Sequence, residues 1–163
     1  MRVAKIVRLV FVTILMSSAI TAKAVEVEVV GPCEMEPQLN SFVKLKENES
    51  VTLGDLTVKV LNANGIPFKG GAQGIAQIFD SPMGKDAIET LSSTQMRAYG
   101  WCVHVDNDEP AEMPDQVIIT ASVKKILWFY AYSLYDNGVW KDYCTPSWKV
   151  HSINYCKSKI SDK

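Results

Sequence analysis

The sequence predicts an α+β domain, a mixed or antiparallel sheet packed on one helix. Three observations carry this. Apolar and polar residues alternate with period two in several separate segments, the pattern of half-buried strands. A single segment, about residues 82–99, repeats its apolar residues at helical spacing between a serine cap and a stop glycine. Two Asn-Gly pairs, Asn64-Gly65 and Asn137-Gly138, supply strong hairpin turns.

The chain opens with "MRVAKIVRLVFVTILMSSAITAKAV". Arg2, Lys5 and Arg8 precede an apolar run from Leu9 to Met16, and Ala22-Lys23-Ala24 is a small-residue cleavage signal. That order predicts a signal peptide over 1–24 and a single domain over 25–163. The apolar run is too short for a membrane anchor, which needs about 20 residues. "VEVEVV" then alternates as a strand until Gly31-Pro32, and "SFVKLKE" alternates again. "ESVTLGDLTVKVL" reads as a third strand, with Leu56, Val58 and Val60 on one face, running into the "NANG" turn. Residues 66–68 return from it, and "KGGAQG" reads as a flexible loop, since a phosphate cradle needs a strand, loop and helix context that is missing.

Ser81-Pro82 has the form of a helix start, with Ala87, Ile88, Leu91 and Ala98 as its thin apolar stripe and Gly100 as its stop. "WCVHV", "QVIIT" and "KKILWFYAYSLY" follow as strands, and "DNGVWKDY" turns and runs back.

Cleavage at Ala24 leaves 139 residues with 13 basic against 18 acidic side chains, a net charge of −5. A mildly acidic surface gives no footprint for nucleic acid or for an anionic membrane. The cysteines Cys33, Cys102, Cys144 and Cys156 are even in number, which in a small exported chain predicts two disulfides. Cys102 and His104 share one face of a strand, but no second ligand pair has metal-site spacing, so no metal or other cofactor is expected. "DNDE", Asp106 to Glu109, reads as a solvated turn rather than a calcium loop. No nucleophile and base, and no carboxylate pair, stands out, so an enzyme is not expected.

The aromatic residues are concentrated. Ten of the 14 in the mature chain lie between Tyr99 and Trp148. Within "ILWFYAYSLY", Trp128, Tyr130 and Tyr132 share one face and Leu127, Phe129 and Ala131 the other. Such a strand is either buried on both sides or presents one aromatic face for binding. Trp101, Trp128, Tyr130, Tyr132 and Trp140 are the candidate ligand contacts.

The segment "GWCVHVDNDEPAEMPDQVIITASVKKILWFY" resembles the transcobalamin C-terminal-like domain, a family of exported bacterial domains. Trp101 and Val103 match its Trp-led strand, and Ile126, Trp128 and Tyr130 match its closing strand. "VKVLNANG" and "GKDAIETL" resemble its first hairpin and its helix, so the resemblance spans about 51–135. Asp106-Asn107 replaces the usual Asn-Gly, Lys124-Lys125 replaces Gly-Asp, and the cysteine-containing C-terminal extension is extra. The resemblance implies a β-grasp fold. It implies a corrinoid only by fold-level analogy.

The expectation is therefore an exported, periplasmic or extracellular, disulfide-stabilised domain. It binds a flat small ligand such as a corrinoid, or a protein partner, without catalysis and without a membrane span once the signal is removed. The alternative is a structural envelope or cell-surface protein whose aromatics are all core.

The disulfide pairing follows from strand order. If the Trp101 strand and the Cys144 strand flank the strand 126–135, Cys102 and Cys144 stand two strand spacings apart, about 9.6 Å. A disulfide needs its α-carbons within about 7 Å. Cys144 and Cys156 are only 12 positions apart with a turn-forming proline in "TPSW" between them, so the expected bridges are Cys144–Cys156 and, with it, Cys33–Cys102.

Overall fold

The computed structural model describes residues 23–149 and 155–156. Most of the expected signal peptide lies outside the described residues. Strand β1 (Lys23–Val30) opens at the expected cleavage site and pairs antiparallel with β2 (Leu39–Leu45). A short β3 (Ser50–Thr52) leads directly into the helix α1 (Leu53–Ala63). Then come a hairpin of β4 (Phe68–Gly71) and β5 (Gly74–Ile78), a 3-10 turn over Gly84–Ala87, and β6 (Ile88–Thr90). The long strand β7 (Gln95–Val105) is followed by β8 (Ile118–Thr120), β9 (Lys125–Asp136) and β10 (Val139–Pro146).

The main sheet has the order β2-β1-β9-β7-β6. β1 runs parallel to β9, and every other pairing in the sheet is antiparallel. β9 is the central strand. β7 covers one of its edges from Ile126 to Asp136. β1 and β10 share the other edge end to end, β1 along Lys125–Phe129 and β10 along Ala131–Asp136. α1 packs on one face of this sheet. Leu53, Leu56, Val60 and Leu61 from α1 meet Val25, Val27, Val29, Ile126 and Trp128 there.

The helix is where the expected strand "ESVTLGDLTVKVL" was placed, and this is the largest correction. Leu53, Leu56, Val60 and Leu61 fall at i, i+3, i+7 and i+8, so they form one helical stripe. Thr52 caps the start. Its hydroxyl accepts from the Asp55 N–H at 3.0 Å and donates to the Asp55 carboxylate at 2.7 Å. Asn64 closes the end, and Gly65, at φ +65°, takes the left-handed position after it. The "NANG" stretch is a helix terminus rather than a hairpin turn.

The expected helix over 82–99 is replaced by the 3-10 turn, β6, a bend over 92–94 and the start of β7, because β7 has a long partner in β9 and the helical stripe was thin. "KGGAQG" is the β4–β5 hairpin rather than a flexible loop. The segments "VKVLNANG" and "GKDAIETL", which carried the upstream part of the family resemblance, are therefore helix and turn-plus-strand.

Two disulfides form, as expected in number, but neither expected pairing is correct. Cys33 bonds Cys156, with α-carbons 5.4 Å apart, and Cys102 bonds Cys144, with α-carbons 5.9 Å apart. The strand order behind the expectation holds, since β7 and β10 do flank β9. What fails is the assumption that Cys144 stays in the ladder. Lys141 pairs Leu134 and Thr145 pairs Tyr132, so three residues of β10 stand against one of β9. Asp142 and Cys144 both take φ +51° in this bulge. The bulge takes Cys144 out of the ladder and within reach of Cys102.

Candidate binding cleft

β2 and β6 end the sheet, and β6 is so short that it leaves part of β7 without a ladder partner on that side. The Asp106 N–H donates to the Lys125 carbonyl at 2.9 Å, while Val105 exchanges hydrogen bonds with Asp108 at 2.9 and 3.1 Å. In an antiparallel pair the backbone groups alternate sides. Even-numbered residues of β7 thus bond toward β9, and odd-numbered ones point outward. β6 covers Met96 to Ala98, and the Asp108 bridge covers Val105. Between them, the outward N–H and C=O groups of Trp101 and Val103 take part in no strand ladder among the described residues, and β5 passes close beside this stretch.

The chain itself explains why pairing stops. Asp106 and Asn107, at φ +51° and +76°, form a tight two-residue turn and aim the following segment back along β7. The next position opposite Val103 is Pro110, which has no N–H to donate. The segment 109–114 therefore leaves the ladder and stands off as a wall.

A cleft of about 280 Å³ results. Trp101, Val103 and Trp128 line its inner side with the Cys102–Cys144 bridge. Gly74 and Ile75 of β5 form one wall, and Glu109, Glu112, Met113 and Pro114 the other. The start of α1 fixes both walls. The Gly54 N–H donates to the Pro114 carbonyl and the Leu53 N–H to the Val117 carbonyl, each at 2.8 Å. A Cβ on Gly54 would collide with the Ala72 carbonyl oxygen in the β4–β5 turn. Glycine at 54 thus lets the hairpin pack against the helix start. The lining carries two carboxylates and no cation.

The five expected ligand contacts separate. Trp128 is 2% exposed and its indole N–H donates to the buried Thr57 hydroxyl of α1 at 2.9 Å. Tyr130 is 0% exposed and donates to the Pro82 carbonyl at 2.7 Å. Burial, and then the neighbouring Tyr99 and Tyr155, push its phenol above the ordinary range. Neither residue offers a ring face to solvent.

On the opposite face of β9, Phe129 and Ala131 are covered by the Cys102–Cys144 region and Trp148. The middle of the strand is thus buried on both sides. Tyr132 packs on Tyr99, and the Arg97 guanidinium lies 5.2 Å from its ring centre. Arg97 is held there by Glu89 at 3.1 Å, which also accepts from the Tyr99 hydroxyl at 2.7 Å. Burial, then this bond to Glu89, raises the Tyr99 phenol. Trp140 is 39% exposed on β10, edge-on to Tyr135 and apart from the cleft.

Trp101 is the expected contact that reaches the cleft with part of its surface exposed. Its indole N–H donates to Ser81 at 2.9 Å, and its ring meets Tyr130 edge-on. The residues of the loop wall were not anticipated. The signal for them is the tight turn at Asp106-Asn107 followed by Pro110, which together turn a hairpin back and then forbid its second strand.

The Cys102 sulfur is committed to its disulfide and His104 packs edge-on to Phe129 at 4.7 Å. Among the described residues no three His, Cys, Asp or Glu side chains converge as a metal site, and no helix is long and apolar enough to cross a membrane.

No family model and no curated protein matches the chain. One solved structure matches, described as a "putative metal binding protein" from Ruminococcus gnavus. It is 15% identical, covers 66% of this chain and 95% of its own length, and superposes with a TM-score of 0.37.

Proposed function

We propose that this chain is an exported, disulfide-stabilised, non-catalytic binding domain of β-grasp type whose ligand enters the cleft beside Trp101. The strand order β2-β1-β9-β7, with β1 parallel to β9 and one helix across the sheet, supports the β-grasp reading. The observation that carries the binding reading is the cleft itself, where a partly exposed tryptophan lies beside backbone groups that no strand ladder among the described residues uses.

Ligand pockets usually measure about 300–1,000 Å³. At about 280 Å³ this cleft does not enclose a macrocycle, so of a corrinoid and a protein partner it favours the partner. The burial of Trp128 and Tyr130 favours the alternative of a structural envelope protein in which the aromatics are core.

Titration of the nitrogen-15-labelled domain with cobalamin, haem and a random peptide pool separates the readings. A ligand that shifts the Trp101 indole N–H, and binds more weakly to Met113→Ala, supports the binding domain. Met113 is 57% exposed, so that change should leave stability unaltered. Three ligand classes that all leave Trp101 unmoved would favour the structural protein. Export is tested separately by intact mass, expected to begin at Val25.

A further inference from the structure

We propose that the cleft takes an extended peptide, which adds as a strand to the open edge of β7. The inference rests on the binding reading above and specifies its partner. A pair of outward N–H and C=O groups, on Trp101 and Val103, lies two residues apart on one strand edge. That spacing is the hydrogen-bonding repeat of a β-ladder, and another extended backbone is the group that satisfies all four. The edge is already matched on either side, by β6 up to Ala98 and by Asp108 at Val105. A visiting strand would therefore fill a gap of fixed length. Ile75, Met113 and the Trp101 ring give apolar contacts for alternate side chains, as strand addition requires.

The charge of the site selects the occupant. Glu109 and Glu112 stand on the rim with no cation in the lining. A second copy of this chain docked edge to edge would bring the same two carboxylates against themselves, which is unfavourable. A foreign segment with apolar residues at alternate positions and a Lys or Arg at the rim fits both features. The loop wall also recesses the edge, so a single strand enters more readily than another folded sheet.

The test separates backbone pairing from side-chain recognition. Val103→Pro deletes the outward N–H, which no strand ladder among the described residues uses, and proline is tolerated at such an edge position. Val103→Ala loses the same side chain but keeps the N–H. A phage library of random decapeptides is panned against the folded domain, and enriched peptides are synthesised with and without N-methyl groups at alternate residues.

The expected result is enrichment of basic, alternating sequences that slow amide exchange at Trp101 and Val103. Their binding should fall at least about tenfold on N-methylation, and again on Val103→Pro relative to Val103→Ala, because each change leaves a backbone group unpaired. Peptides that shift Trp101 but bind both Val103 variants equally would overturn strand addition and leave the binding domain standing. A library that enriches nothing at the cleft would overturn both.

Discussion

Removing the Thr57 hydroxyl tests how the helix is locked to the sheet. Thr57 and Trp128 are both buried and joined at 2.9 Å across 71 positions of sequence. In Thr57→Val the side-chain volume is kept, so no cavity forms. The Trp128 indole N–H then sits in the core without an acceptor, which costs about 1–3 kcal/mol. The second bond of that hydroxyl, to the Leu53 carbonyl at 2.7 Å, adds little, because the same carbonyl accepts within the helix. Trp128→Phe has a different cost, roughly 2 kcal/mol for lost ring volume. In that background no N–H remains to be stranded, so Thr57→Val should cost well under 1 kcal/mol. The double-mutant cycle therefore predicts a coupling of about 1–3 kcal/mol. Urea unfolding of the four proteins measures it, with an unchanged m-value as the condition for comparison. Additivity within about 0.3 kcal/mol would refute the reasoning and mean that water reaches the indole.

Three further outcomes are expected. Non-reducing peptide mapping should yield Cys33–Cys156 and Cys102–Cys144. In the chain-entropy model, loops of 123 and 42 residues contribute about 5 and 4 kcal/mol respectively, so loss of either bridge should be severe. Gly54→Ala should destabilise by about 1–3 kcal/mol despite the better helix propensity of alanine, because its Cβ meets the Ala72 backbone; a stabilised variant would show that the β4–β5 turn is loosely packed. Tyr99 and Tyr130 have raised phenol values in the folded state, so their contribution is intact below the unfolded value near pH 10 and is lost as pH rises above it. Unfolding measured from about pH 9 to 12 should show this decline, and Tyr130→Phe should flatten it; an unchanged slope would remove the tyrosines as its cause.

Much of the strand content follows from local alternation. β1, β2, β8, β9 and β10 lie where period-two patterning and turn residues put them, because each pattern reports one buried face, a property of neighbours in sequence. The same kind of local information also marked α1. Thr52 and Asp55 form a cap, and Leu53, Leu56, Val60 and Leu61 form a stripe, but Val58 and Val60 beside Leu56 also satisfy a strand, and an 11-residue segment fits both periods. The stretch 82–99 carried the opposite ambiguity. Its resolution came from β9, whose 12 residues offer β7 a full ladder that an isolated thin-striped helix cannot match.

The sequence alone determined that this is a small α+β domain with two disulfides and an aromatic central strand, since composition, cysteine count and periodicity are properties of the chain itself. Tertiary structure alone decided which cysteines meet and which aromatics see solvent. A two-residue excess in the β10 bulge sets the first, by taking Cys144 out of its register toward Cys102. For the second, the helix covers Trp128, the segment 82–87 with Tyr99 covers Tyr130, and the Cys102–Cys144 region covers Phe129 on the other face, which leaves the edge at Trp101 and Val103. Both outcomes depend on contacts between residues far apart in the chain, and no local pattern records those.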